Sequence, residues 1–287
     1  MDNVITIDVE DWFHILDIPS APQIDVWPTL PSRVERNLNV LLDDLDRHHV
    51  FATCFFLGWV AERFPHLVRE AAGRGHEIAS HGYAHQLVYD AGRRGFREDI
   101  RRSKSIIEGL TGRAVLGYRA PGFSFVPATP WVFDELHDAG FTYDSSVFPA
   151  SRGHGGMRTA DVRPWRVTVA AGEVVELPIS VVSVLGRRVC LFGGGYLRLF
   201  PSWVIRWGAR RLGAEDRPVV FYVHPREIDP DHPRLPMGRM RAFKSYVNLG
   251  TTRDKLEAIL SSVPLMTCER WIDAHRAELP AGPFIDA

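Results

Sequence analysis

The sequence predicts an α/β fold, a barrel-like single domain with seven or eight β/α units. Short apolar strands alternate with longer amphipathic helices along most of the chain, as in parallel sheets whose strands are joined by helical crossovers. The length of 287 residues is normal for one α/β barrel. No internal repeat, low-complexity tract or linker marks a domain boundary.

Six strands are predicted from short runs rich in apolar residues. They are 4–8, 50–58, 76–81, 115–121, 141–146 and 218–224. The run 50–58 is apolar throughout, so we expect its cysteine, Cys54, to pack in the core. Between 165 and 182, apolar and polar residues alternate around an Ala-Gly turn, which predicts a β-hairpin inserted among the β/α units.

Helices are predicted where apolar residues recur three and four positions apart. They are 32–48, 59–75, 96–112, 129–140, 201–213 and 251–263. Ser32 is the expected cap of the first helix, and glycines end the second and third.

The composition excludes several functional classes. The net charge of -1 offers no attraction for nucleic acid or an anionic membrane surface, and no apolar run approaches the roughly 18 residues of a membrane span. The chain opens directly into a strand without a basic leader, so the expected location is cytoplasmic, although a chain with its export signal removed would look the same. Three widely spaced cysteines form no CxxC motif or disulfide framework.

Polar residues at the ends of two predicted strands indicate a metal site. Asp8, Glu10 and Asp11 crowd the end of the first strand, where buried carboxylates repel one another unless a cation compensates them. His81 and His85 follow another strand and are four residues apart, so on a helical turn both imidazoles would project from one side, a spacing that suits Zn²⁺. The alternative is a pair of solvated histidines.

Three further strand ends carry groups that can take part in catalysis. Arg119 could orient a carboxylate and lower its pKa, or pair with an acid at the surface. His224 ends an apolar strand as either a core histidine or an acid–base group, and Asp144 is a possible partner for it. Since active sites of parallel α/β folds gather at the carboxyl ends of strands, we expect all of these groups to meet.

At these residues the chain resembles the polysaccharide deacetylase family, the carbohydrate esterases with a NodB-type domain. The resemblance covers most of the chain and lies in TIDVED, SHGYAH (80–85), RAPGF and FYVHP, together with the block that runs from FATCFF to SHG. It implies a distorted (β/α)7 barrel, one divalent ion, most commonly zinc with cobalt or nickel possible, and deacetylation of an N-acetylated sugar.

The resemblance also implies roles for individual residues. Asp8 matches the general base, Arg119 the residue that holds it, and His224 the general acid. His81 and His85 match the two histidine ligands. The third ligand is Glu10 or Asp11, because the chain has the acid-x-acid pattern of the subgroup that includes the Helicobacter-type peptidoglycan deacetylase and the PuuE-type allantoinases. Strand alternation places residues 8 and 10 on one face and favours Glu10.

From about residue 190 the chain resembles deacetylases of exopolysaccharide loci. FGGGYLRLFP (192–201) and FKSYVNLGTT (243–252) are the matching stretches, and Gly193, Gly194 and Gly195 are expected to form a flexible loop at which backbone approaches a sugar. Without a Gly-Lys-Ser/Thr ending they do not resemble a phosphate-binding loop.

The main hypothesis is a metal-dependent sugar N-deacetylase whose oligomeric state is open. Acetyl and sugar contacts are expected from five residues, namely Trp12, Tyr83, Pro121, Gly122 and Phe123. A backbone N–H near Gly122 or Phe123 is expected to stabilise the oxyanion. The alternatives are a cyclic-amide hydrolase of the allantoinase or imidase type and a sugar-binding module without catalysis.

Overall fold

The computed structural model describes residues 2–153 and 155–284, in which alternating strands and helices confirm the predicted α/β class. The strands are β1 (Asn3–Val9), β2 (Thr53–Phe56), β3 (Glu77–Ser80), β4 (Gly117–Tyr118), β5 (Tyr143–Asp144), β6 (Trp165–Val169), β7 (Gly172–Glu176), β8 (Val181–Val184), β9 (Arg187–Cys190), β10 (Val220–Val223), β11 (Leu265–Met266) and β12 (Ala281–Gly282). The helices are α1 (Val34–Arg47), α2 (Gly58–Arg63), α3 (Pro65–Gly73), α4 (Val88–Thr111), α5 (Val132–Asp138), α6 (Gly194–Leu199), α7 (Ser202–Ala214), α8 (Arg239–Tyr246), α9 (Thr252–Leu260) and α10 (Cys268–His275).

A parallel sheet organises the fold. Its parallel run has the order β10-β1-β2-β3-β4-β5-β7, and β11 adds to β1 in parallel. β6 and β7 form the predicted antiparallel hairpin, and β12 pairs with β6. Two strands from the second half of the chain, β10 and β11, thus flank or extend β1, so both halves share one sheet.

The continuation of β7 joins the two ends of the parallel run. The backbone N–H of Leu177 donates to the Asp144 carbonyl at 2.8 Å. Three residues later, the Ser180 hydroxyl donates to the Pro218 carbonyl at 3.1 Å and accepts from the Val220 N–H at 2.9 Å. The segment therefore bonds to the chain beside β5 on one side and beside β10 on the other, as expected of a distorted barrel.

Apolar strands and helix faces build the core. β2 is buried along its whole length, and Cys54 lies in the core as predicted. Helix α1 buries the leucines and valine of its predicted apolar face, Val34, Leu38, Leu41, Leu42 and Leu45. The described residues contain no helix long and apolar enough to cross a bilayer.

The largest departures from the predicted helix bounds occur in two helices. The stretch 59–75 forms α2 and α3 rather than one helix, because Pro65 removes a backbone donor and begins the second helix. The helix predicted over 96–112 starts earlier, at Val88, and bends at Gly92, where a φ of 67° interrupts helical geometry.

The carboxyl of Glu77 makes the stability of the fold depend on pH. It accepts hydrogen bonds from the Thr53 hydroxyl at 2.6 Å, the Glu269 N–H at 3.0 Å and the Tyr143 hydroxyl. Burial nevertheless raises its pKa to about 7. Because the pKa of Glu77 is higher in the folded than in the unfolded protein, its protonated carboxyl stabilises the fold. This stabilisation is complete below the unfolded-state pKa of about 4.3 and is lost as the pH rises through 7.

We expect Glu77→Gln to gain stability relative to the unsubstituted protein between pH 5 and pH 8. The gain is at most about 3 kcal/mol, since one pKa unit corresponds to about 1.4 kcal/mol. Urea unfolding at several pH values, with chelator present, measures it, and Glu62→Gln at a half-exposed acid is the control. A difference that stays constant over this range would show that Glu77 is ionised in the folded protein throughout.

Candidate active site

The sheet register brings the polar strand ends to one edge. From β1 to β5, each strand pairs with the next through residues near its carboxyl end. These pairs are Val9 with Phe56, Phe56 with Ser80, Ser80 with Tyr118 and Tyr118 with Asp144. On the other side of β1, Ile7 pairs with Val223. The side chains that follow these positions at the same edge are Glu10, His81, Arg119 and His224.

Arg119 holds Asp8 at the centre of this edge. Its Nη1 donates to Asp8 Oδ1 and to the Thr6 hydroxyl, both at 2.7 Å. Its Nε and Nη2 donate to the carbonyl and hydroxyl of Ser145 at 3.1 and 3.0 Å, and its guanidinium lies 4.2 Å from the centre of the Phe55 ring. Arg119 is completely buried, so these contacts fix both its position and that of Asp8.

The electrostatic surroundings keep Asp8 ionised. Burial alone would raise the pKa of its carboxyl, but Arg119, His81 and His224 outweigh burial, and the pKa lies below its ordinary value. Asp8 Oδ1 is bound by Arg119, whereas Oδ2 faces His224 Nε2 at 3.7 Å. An ionised carboxylate with one oxygen directed toward other polar groups can accept a proton.

Glu10, His81 and His85 form a group that could hold a metal ion. One ligand atom from each lies within 4.8 Å of the others, and all three residues are buried. His85 Nε2 lies 2.6 Å from Glu10 Oε2. His81 Nδ1 lies 2.8 Å from the Arg119 carbonyl, a contact that orients the ring and leaves Nε2 for a ligand.

The two histidines converge through a loop, so the helical turn expected from their spacing is wrong. Residues 81–87 are not helical, and His85 and Gly82 have φ values of 49° and 74°. The Asp99 carboxylate accepts the backbone N–H groups of residues 83 and 84 at 2.7 and 2.9 Å and holds this turn. A Cβ at position 82 would lie 2.6 Å from that carboxylate, so glycine is needed there.

His224 faces the same carboxylates from β10. Its Nε2 lies 3.7 Å from Asp8 Oδ2 and 3.8 Å from Glu10 Oε1. Its Nδ1 lies 3.0 Å from Glu227 Oε2, which also accepts the His224 backbone N–H at 3.0 Å, and Arg198 pairs with the other oxygen of Glu227. Burial lowers the pKa of the imidazole to about 4 against the opposing effect of Glu10 and Asp8. The partner of His224 is therefore Glu227 and not Asp144.

A search with family models matches two parts of the chain. The model described as Polysaccharide deacetylase matches residues 24–143. This part of the chain is therefore similar to polysaccharide deacetylases. Residues 145–273 match a second model, described as a domain of unknown function (DUF3473).

Curated relatives match about a third of the chain. The chain is 37% identical over 81 residues to the peptidoglycan-N-acetylglucosamine deacetylase of Bacillus cereus, a match that covers 28% of this chain and 30% of the relative. It is 32% identical over 107 residues to the peptidoglycan deacetylase of Helicobacter pylori, covering 37% and 36%. The chain thus spans about a third of the length of these relatives.

Solved structures share the fold over nearly the whole chain. A structure from Mycobacterium smegmatis assigned to the polysaccharide deacetylases has a TM-score of 0.67 at 22% identity and covers 100% of this chain and 93% of that one. The PuuE allantoinase has a TM-score of 0.63 at 16% identity, covering 97% and 91%. At these identities the likeness establishes the fold alone.

Asp11 lies outside the cluster of possible ligands. Its carboxylate accepts the backbone N–H groups of Arg33 at 3.1 Å and Val34 at 3.3 Å, and the Ser32 hydroxyl at 2.5 Å. These donors stand at the start of α1, so Asp11 caps the helix for which Ser32 was the expected cap. Of the two acids considered as the third ligand, the structure brings only Glu10 to the histidines.

Asp144 belongs to a buried acid pair behind the site. Its carboxylate accepts the N–H and hydroxyl of Ser146 at 2.8 and 2.6 Å. Burial raises the pKa of Asp144 to about 6, and burial together with the nearby Asp144 raises that of Glu176 well above its ordinary value. Glu176 also accepts the Val147 N–H at 3.0 Å, so both acids support the loop after β5.

Only two of the five predicted substrate contacts line the cavity, Gly122 and Phe123. Trp12 donates its Nε1–H to the Pro31 carbonyl at 2.9 Å, and the Tyr83 hydroxyl donates to Glu62 at 2.7 Å. Trp12, Tyr83 and Pro121 are buried but do not line the cavity. Their aromatic or cyclic side chains are used for packing.

The cavity at this edge has a volume of about 530 Å³. Asp8, Glu10, both metal-type histidines and His224 line its floor, and residues from α6 and α8 form another wall. Gly194 and Gly195 line it as the first residues of α6, so the flexible loop expected there is instead the start of a helix. A Cβ at Gly193 would lie 2.2 Å from the Tyr222 ring, so glycine permits close packing at this position.

Sequence reasoning missed several polar residues of the cavity. His14 accepts the Asp11 N–H through Nδ1 at 2.9 Å, and its buried Nε2 has no partner among the described residues. Arg226 and Glu227 also line the cavity. His14 lies next to the first motif, in DVEDWFH, and Arg226 and Glu227 follow the last motif, in FYVHPRE. Arg198 lies in FGGGYLRLFP, a matching stretch in which no role was expected for the arginine.

Proposed function

We propose that this chain is a metal-dependent N-deacetylase that removes the acetyl group from an N-acetylated amino sugar or polysaccharide precursor. The observation that carries the proposal is the convergence of an Arg-held Asp8, the Glu10–His81–His85 group and His224 on one cavity. The names of the relatives agree with it, since two are peptidoglycan deacetylases and a third, from Sinorhizobium fredii, is a chitooligosaccharide deacetylase, 34% identical over 28% of this chain and 38% of its own length.

The buried donor set fits a zinc-type ion. Two imidazoles and one carboxylate are the ligands that catalytic zinc sites use, and the contact of His81 Nδ1 with a carbonyl is typical of a ligating histidine. Cobalt and nickel suit the same donors. When bound, the ion would polarise the acetamide carbonyl and lower the pKa of water.

Asp8 and His224 supply the proton transfers. Asp8 Oδ2 accepts a proton from the attacking water, whose oxygen bonds to the acetamide carbonyl carbon. His224 is held with Nδ1 toward Glu227, which leaves Nε2 at 3.7 Å from Asp8 Oδ2. Nε2 takes up the proton that Asp8 has accepted and gives it to the leaving nitrogen, so that Asp8 is ionised again. The carbon–nitrogen bond breaks, and acetate and the free amine are the products.

Of the two residues considered as the oxyanion donor, Gly122 and Phe123, the structure favours the backbone N–H of Gly122. The Phe123 N–H already donates to the Ala120 carbonyl at 3.0 Å. Gly122 lines the cavity with a φ of 64°, and a backbone N–H there can be directed at a developing oxyanion.

Acetate release tests the proposed function. The zinc-loaded protein is incubated with N-acetylated glucosamine oligomers, and in parallel with hydantoin and succinimide. We expect acetate and a new primary amine from the oligomers. Ring opening without acetate release would favour the cyclic-amide hydrolase, and binding of oligomers without any turnover would favour the sugar-binding module.

His224→Ala is expected to slow amide cleavage about 10²–10⁴-fold while leaving cleavage of an aryl acetate nearly unchanged. An amine is a poor leaving group unless it is protonated, whereas an activated phenolate leaves without an acid. Steady-state rates on the two substrates measure this difference, and the melting temperature checks the fold. Equal losses on both substrates, or a collapsed melting temperature, would contradict the general-acid role.

We further propose that the chain acts as one domain with a family-specific portion from about residue 190, because β10 and β11 pair with β1. The cytoplasmic location stays a prediction.

A further inference from the structure

Four arginines line the cavity beside the candidate catalytic groups, and Arg198 among them pairs with Glu227. The other three form no hydrogen bond to a carboxylate of the described residues. Of these three, Arg152 comes from the loop after β5, Arg226 from the turn after β10, and Arg241 from α8. We propose that they bind an anionic group, a carboxylate or a phosphate, carried by the substrate next to its acetamido sugar. The inference deepens the proposed function by naming an acidic saccharide or a phosphate-linked sugar as the substrate class.

Each of these arginines has a buried N–H group without an acceptor. Among the described residues, Arg152 Nη1, Arg226 Nη1 and Arg241 Nε are buried and have no hydrogen-bond partner. Charged donors left in this state are costly, so native proteins satisfy nearly all of them. Arg119 shows the contrast, because its Nε, Nη1 and Nη2 all donate to protein oxygens.

The carboxylates nearby do not saturate the three side chains. Arg226 Nε lies 3.5 Å from Glu10 Oε1, which the metal-type group also uses. Burial lowers the pKa of Arg241, and the charges of Arg226 and Arg152 lower it further against the opposing effect of Asp17, so the pKa lies below its ordinary value. The positive charges therefore repel one another within one cavity, and a bound anion would relieve this repulsion.

Two aromatic rings hold the guanidinium of Arg152 in position to bind an anion. Its guanidinium lies 4.9 Å from the centre of the Phe123 ring and 5.1 Å from that of Phe148. Rings on which a guanidinium stacks orient its planar donors and reduce the entropy lost on binding. Carboxylates and phosphates match these donors bidentately, whereas a neutral chain of N-acetylglucosamine has no group that does so.

Binding to the Asp8→Asn protein, in which turnover is expected to be about 10²–10⁴-fold slower, tests the proposal. Three probes are titrated by calorimetry: neutral tetra-N-acetylchitotetraose, a hyaluronan tetrasaccharide that carries carboxylates, and UDP-N-acetylglucosamine, which carries a diphosphate. Arg152→Gln and Arg241→Gln are introduced separately into this background. Arg206→Gln on the exposed part of α7 is the matched control.

We expect one anionic probe to bind more tightly than the neutral one. Each cavity variant should weaken that binding roughly 10- to 100-fold, with no change for the neutral probe or for Arg206→Gln. If the arginine substitutions weaken binding of the hyaluronan probe, the anionic group is a carboxylate. If they weaken binding of UDP-N-acetylglucosamine, it is a diphosphate. Anionic probes that bind no better than the neutral one, or that ignore both substitutions, would overturn the proposal.

Failure of the anion site and failure of the proposed deacetylase function give different results. If the anionic probe binds through Arg152 and Arg241 but the unsubstituted protein releases no acetate from it, the anion site stands and deacetylation of that compound does not. If acetate is released equally well from the neutral oligomer and from both anionic compounds, the deacetylase stands and the anion site does not.

Discussion

His81→Ala and His85→Ala are each expected to lose the bound metal ion and all measurable amide hydrolysis. Removing one of three protein ligands should weaken zinc binding by more than about 100-fold, because even residues that only orient ligands contribute 10- to 100-fold. Glu10→Ala should behave in the same way, since Glu10 Oε2 lies 2.6 Å from His85 Nε2 in the only such cluster found among the described residues. Metal content per chain after dialysis, measured by elemental analysis, gives the result.

Two controls separate ligand loss from damage to the fold. Asp11→Ala should keep the metal and lose about 1 kcal/mol of stability, because its carboxylate caps α1. His76→Ala removes another buried imidazole, whose Nδ1 accepts the Ala52 N–H away from the cluster, and should also keep the metal. A fully loaded His81→Ala protein, or an Asp11→Ala protein without metal, would show that the ion binds elsewhere.

Asp8→Asn is expected to keep the metal ion and to lower turnover by about 10²–10⁴-fold. The substitution removes the base, while Glu10, His81 and His85 remain. The asparagine carbonyl can still accept the hydrogen bond from Arg119, so the guanidinium keeps a partner. Single-turnover rates with stoichiometric metal measure the loss.

The buried charge of Arg119 requires a stability check on this variant. Removing the negative partner of a buried ion pair can cost about 3–5 kcal/mol. A melting temperature near that of the unsubstituted protein, together with full metal occupancy, would attribute the lost turnover to the missing base. Loss of metal in parallel with loss of turnover would make Asp8 a ligand instead.

Much of the active-site neighbourhood could be predicted from the order of residues along the chain. Polar residues lie at or directly after the ends of β1, β3, β4 and β10, and in a parallel sheet those ends share one edge. Asp8, Glu10, His81, Arg119 and His224 were therefore expected together and are found together. The β6–β7 hairpin and the buried Cys54 follow from local patterns as well.

Local reasoning failed where the backbone departs from regular geometry. The spacing of His81 and His85 fits a helical turn, yet the two imidazoles meet through a loop that Gly82 and Asp99 shape. The spacing of the two histidines does not distinguish a helical turn from such a loop, because both conformations can place the two imidazoles next to each other.

What the sequence determined by itself is the alternation of strands and helices and the set of reactive residues at the strand ends, because both depend on short-range patterns of apolar and polar residues. Only the tertiary structure decided which acid joins the histidines, which acid supports His224 and which arginines enter the cavity. Asp11 binds the start of α1, and Glu227 rather than Asp144 contacts His224. Arg152 and Arg241 line the cavity although their segments are far apart along the chain. These choices are made by contacts between residues far apart along the chain, which no local pattern encodes.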